Sequence, residues 1–120
     1  MPKYNIQRYS QTVTIAADGT TANADTTRTL YGKLVAIKSV VPALVGTTTL
    51  TITIKDENGV TIYTKASIAE GAGFGAYIDA NNHPLQLPID GILNITVTAS
   101  NAQTSVAAPI PVVLLIDRGN

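Results

Sequence analysis

Three features of the sequence predict an all-β domain built as a two-sheet antiparallel sandwich of seven or eight strands. Thr, Ile and Val number 17, 13 and 10, a third of the 120 residues; such side chains lose freedom in a helix and fit a pleated surface. Turn signals, among them Asp18-Gly19, Asp56–Gly59 and Asp90-Gly91, punctuate the chain at short intervals. Between them apolar and polar residues alternate, and no stretch shows the 3.6-residue period of a helix.

Each element can be justified in order. In Tyr9–Ala17, Val13 and Ile15 fall on one face and Thr12 and Thr14 on the other, and Asp18-Gly19 then turns the chain. Thr20–Thr29 has no large apolar side chain and is expected to be a loop or an extended arm. Leu30–Leu44 is apolar on both alternating faces, as in a strand buried on two sides, and Pro42 ends it. Thr49–Asp56 sets Leu50, Ile52 and Ile54 against Thr49, Thr51, Thr53 and Lys55. A hairpin loop with Gly59 at a positive φ leads into Val60–Ile68, where Val60, Ile62, Ala66 and Ile68 are expected inward. Ala69–Ala76 reads as a glycine-rich loop, Ala76–Asp79 as a short strand and Asn81–Pro84 as a turn. Leu85–Ile89 alternates, and Ile92–Ser100 puts Leu93, Ile95, Val97 and Ala99 on one face. In the last run, Pro109 and Pro111 lack the amide donor, so full pairing is expected only beyond Pro111.

Composition excludes several function classes. Eight basic and eight acidic residues give a formal net charge of zero, which supplies no field for nucleic acid or anionic lipid. With no cysteine, a disulfide scaffold, a thiolate zinc site and a cysteine nucleophile are impossible. The N-terminal residues lack the apolar core of a secretory signal, and Val106–Ile116 is too short and proline-bearing to span a bilayer. Synthesis and assembly in the cytoplasm are therefore expected.

Candidate chemistry is sparse. His83 is the single histidine; with Asp79 or Asp90 and a serine it could form a triad, but it sits in a turn and no G-x-S-x-G surrounds any serine. Asp56, Glu57 and Asn58 resemble the start of a calcium loop, yet Ser67 stands where the bidentate glutamate belongs. Gly71–Gly75 contains G-x-G without the lysine of a phosphate loop. No catalytic residue, metal or cofactor is predicted. Contact residues are another matter: Tyr4, Arg8 and Tyr9 interleave charge and aromatic rings near the N-terminus, and Phe74 and Tyr77 flank the glycine run.

The run LYGKLVAIKSVVPAL, the pattern T-x-T-I-x-D-x-x-G-x-x-I-Y over Thr51–Tyr63, P-x-x-G-x-L-x-I-T-V-T over Pro88–Thr98 and the closing VVLLID together resemble the small head-decoration, or cement, proteins of tailed bacteriophages. The similarity covers roughly residues 30–117. It implies a non-enzymatic, jelly-roll-like sandwich on the outside of a virion, bound to the major capsid protein, dimeric or trimeric, and stabilising the shell. Residues 1–29 would then be an N-terminal arm with the first strand, and residues 30–120 the sandwich core of a single domain. An Ig-like sandwich is the alternative fold. A carbohydrate-binding or adhesive module of a phage or bacterial surface is the alternative function, although such modules ordinarily present Trp or Tyr platforms and this chain has no Trp.

Overall fold

A computed structural model describes residues 5–44, 48–71, 73–77, 82–103 and 107–119. Among the described residues nine strands run in chain order: β1 (Ile6–Ile15), β2 (Thr21–Asp25), β3 (Leu30–Val40), β4 (Thr49–Lys55), β5 (Thr61–Ala69), β6 (Gly73–Ala76), β7 (Leu87–Gly91), β8 (Asn94–Ala99) and β9 (Ala108–Asp117). The larger sheet has the order β1-β9-β3-β6, with β7 also paired to β3; the smaller has the order β2-β8-β4-β5. All pairings are antiparallel.

Apart from β4–β5 and β6–β7, every step along the chain crosses from one sheet to the other. That interleaving is the jelly roll, with its sixth position divided between β6 and β7. The Ig-like alternative, whose sheets group as ABED and CFG, does not give this order.

The inner faces form one core. Fully buried side chains from the larger sheet, including Leu34, Ile37, Ile110, Leu114 and Ile116, meet Leu50, Ile52, Ile54, Ile95 and Val97 from the smaller. The predicted faces of β4 and β8 are the ones observed: Leu50, Ile52 and Ile54, and Leu93, Ile95, Val97 and Ala99, are all buried. In the hairpin loop, Gly59 has φ +78° and Asp56 Oδ1 accepts from the amides of Asn58 and Val60.

Four elements differ from expectation, each for a physical reason. β5 pairs with β4 through two irregularities, so Tyr63 stands opposite Ile54 and Ile68 opposite Leu50, while Val60 and Ala66 are exposed. Each bulge inserts a residue and swaps the faces, which strict alternation cannot anticipate. Burial at its new position pushes the Tyr63 hydroxyl above its ordinary pKa. In β3 a bulge at Val35 turns both Leu34 and Ile37 inward, which explains the apolar run without burial on two sides, and Val40 is exposed. The stretch 20–29 carries β2, an edge strand whose small Ala22 and Ala24 are enough to pack on the core. The glycine run carries β6, paired to β3 from Ile37↔Ala76 to Val40↔Gly73. The expected strand 76–79 extends into residues outside those described.

The first and last strands are paired along their whole length, from Ile6↔Asp117 to Ile15↔Ala108. On its other side β9 meets β3 only from Val113 onward. Pro109 and Pro111 therefore lie where β9 has one neighbour, as the missing donors require. Ser39, itself buried, partly bridges that gap by donating its Oγ to the Pro111 carbonyl at 2.5 Å.

Candidate functional site: the outer face of the larger sheet

Residues that pair across a sheet share a face. Because Leu114 and Ile37 point inward, Leu115, Val113 and Pro111 of β9 point outward, together with Arg8 of β1 and Lys38 of β3. They form the floor and two corners of an open groove of about 680 Å³. Its far side is made by Val40, Phe74 and Tyr77. Val40 is 71% exposed and Tyr77 52%, both large apolar surfaces facing water.

The glycines of β6 shape this side. A Cβ added at Gly75 would lie 2.8 Å from Cε2 of Tyr77, so the ring lies over a position that only glycine leaves free. Lys38 Nζ stands 5.5 Å from the centre of the same ring, in cation–π range. Arg8 makes no ion pair, and no carboxylate lines the groove among the described residues. The site is thus an apolar trough with two cations and no anion.

Of the expected contact residues, Arg8, Phe74 and Tyr77 come together here, from strands far apart in sequence. Phe74 serves twice, half-buried against the core and lining the groove. Tyr9 is placed elsewhere: its ring is buried on the inner side, and its hydroxyl donates to Gln11 Oε1 at 2.5 Å and accepts from the Thr27 amide at 2.8 Å. It ties β1 to the β2–β3 connection, with Arg28 stacked 5.3 Å from its ring centre. Tyr4 lies outside the described residues. Lys38, Val113 and Leu115 were not expected. The signal for Val113 and Leu115 is the unbroken VVLLI run, since apolar residues at both parities of one strand mean that its outer face is apolar as well.

The smaller sheet carries a second depression, of about 750 Å³, lined by Asn23, Asp25, Asp56, Glu57, Asn94 and Thr96 among others. Its polar groups bond one another. Asn94 Nδ2 donates to Asn23 Oδ1 and Asp25 Oδ1 at 3.2 and 3.0 Å, Thr96 Oγ1 donates to Asn94 Oδ1 at 2.8 Å, and Glu57 Oε1 accepts from the Ile92 amide at 2.8 Å. Asp56, the first residue of the calcium-like run, uses Oδ1 to close its own hairpin. Among the described residues no three His, Asp or Glu side chains group as metal ligands. His83 is exposed near Pro84, and Asp79 lies outside the described residues.

No family model matches the chain, and no curated protein sequence does so. Solved structures do. The VP2 subviral particle of infectious bursal disease virus is 17% identical, with a TM-score of 0.38, and the match covers 99% of this chain and 33% of that one. The exo-beta-1,3-galactanase of Phanerochaete chrysosporium is 13% identical at a TM-score of 0.41, covering 94% of this chain and 29% of that one. The virus-like particle of the extra small virus of the giant freshwater prawn Macrobrachium rosenbergii is 12% identical at a TM-score of 0.35, covering 92% and 77%. The chain thus spans about a third of the length of the first of these proteins.

Proposed function

We propose that the chain is a structural component of a virus particle, a decoration protein that binds the outside of a capsid shell and stabilises it. The observation that carries this reading is the apolar outer face of the larger sheet, which leaves Val40, Tyr77 and the side chains of β9 in want of a protein surface. The jelly roll is compatible with it, being an architecture of viral capsid and lectin domains, but a fold does not assign a function. The order of segments that resembles phage head-decoration proteins narrows the choice. On this reading the partner is the major capsid protein, the location is the virion surface, and dimers or trimers on a symmetric lattice gain from multivalency although each contact is modest.

A carbohydrate-binding role would use the polar depression on the smaller sheet. There the side chains bond one another, and no aromatic ring lines the space among the described residues. The test is direct. Shells assembled without the chain, from the genome that encodes it, should take it up in a sedimentation assay and then keep their DNA to a higher temperature. Absence of both binding and protection overturns the proposal, and saturable binding to a glycan array in its place favours the alternative.

A further inference from the structure

From the geometry of the groove we infer its occupant: a short, extended, apolar segment of the shell subunit that carries one acidic residue, with its carboxylate held between Arg8 and Lys38. The identity of the partner rests on the shell-binding reading above; the chemistry of the segment does not.

Arg8 pairs with Leu115 across β1 and β9, and Lys38 pairs with Val113 across β3 and β9. The two cations therefore stand diagonally on either side of β9, with Cα atoms roughly 12 Å apart by strand spacing and rise. Between them lie only Val113 and Leu115. A carboxylate entering from above meets a positive group on each side and an apolar surface beneath, where Coulomb attraction is stronger than in open water. Among the described residues neither cation has an ionic partner, and Lys38 rests over the Tyr77 ring, so both charges face the groove.

The rest of the groove fixes the segment's form. It crosses β1, β9, β3 and β6, about 14 Å at ordinary strand spacing, which four or five extended residues span. Val40, Phe74 and Tyr77 offer apolar contact beyond Lys38, so apolar residues are expected on one side of the acid.

A second copy of the chain is the obvious rival, because the depression on the smaller sheet holds Asp25, Asp56 and Glu57. Those carboxylates already accept hydrogen bonds from Asn94, from the Asn58 and Val60 amides, and from the Ile92 amide. Their surroundings are polar, whereas the groove is apolar. The match between the two faces is therefore poor.

The experiment uses the full chain and an array of overlapping twelve-residue peptides covering the major capsid protein from the same genome. Wild type should bind a few acidic, apolar peptides, with shifts at the amides of Lys38, Val113 and Leu115 in NMR spectra. The double variant R8E/K38E, with an unchanged melting curve, should lose at least about tenfold in affinity. It should regain binding when the peptide's Asp or Glu is replaced by Lys. Binding that ignores the charge reversal overturns the inference, as does binding of no peptide. Concentration-dependent self-association abolished by R8E/K38E also overturns it, in favour of a second copy. Shell binding by wild type that survives R8E/K38E leaves the decoration role standing and removes only the groove as its site. Failure of wild type to bind shells at all tells against the role itself.

Discussion

The two outer faces of this sandwich are built from similar strands yet treat water in opposite ways. On the smaller sheet the polar side chains bond one another: Asn23, Asp25, Asn94 and Thr96 are joined in one network, and Thr53 Oγ1 meets Thr64 Oγ1 at 3.0 Å across β4 and β5. On the larger sheet Val113, Leu115, Val40 and Tyr77 present apolar surface, and among the described residues Arg8 has no ionic partner. The first face is complete by itself. The second leaves apolar surface facing water beside two cations.

Substitutions test how far the two faces differ. The largest effect should come from the core that both faces share: Leu114→Ala removes a fully buried side chain and should cost about 2–5 kcal/mol in chemical denaturation. Shell or peptide binding should fall with it, since the groove floor is the reverse side of the same strand. Next, Glu57→Ala breaks a bond from the β4–β5 loop to the Ile92 amide and should lower stability by about 1 kcal/mol while leaving groove binding intact.

A smaller and pH-dependent effect belongs to Tyr63. Its folded pKa is raised by desolvation, so above about pH 10 the unfolded chain loses the phenolic proton first and stability falls as pH rises. Tyr63→Phe should remove that part of the alkaline loss, read as a smaller drop in denaturation midpoint between pH 8 and pH 11. Least of all, Arg8→Ala and Lys38→Ala should each change stability by within about 0.5 kcal/mol, because neither makes an ion pair among the described residues. A clear loss of stability in either would mean that the two faces are less different than they look.

Legibility in the sequence followed locality. β4 and β8 alternate without interruption, so their buried faces could be read directly, and Asp56–Gly59 announced its hairpin. β5 and β3 could not be read this way, because bulges shift register by one residue without any local signal. β2 and β6 were hidden by small side chains: edge strands need little apolar bulk, and Ala22, Ala24, Gly73 and Gly75 supply almost none. The groove was legible only in part. Arg8, Phe74 and Tyr77 stand out as residue types, but what makes them a site is the meeting of β1, β3, β6 and β9, and that neighbourhood exists only after long-range pairing.

That pairing also sets a timetable. The larger sheet is organised around β9, which runs between β1 and β3 and is the last strand of the domain to be made. Until residues 108–117 leave the ribosome, β1 lacks its partner in the sheet and β3 is paired on one side alone. Loop closure across nearly the whole chain must come before β1 can join the sheet, and such non-local pairing slows folding. During synthesis the smaller sheet and the β3–β6 and β3–β7 pairs can form first, and the sandwich is completed when β9 enters between β1 and β3.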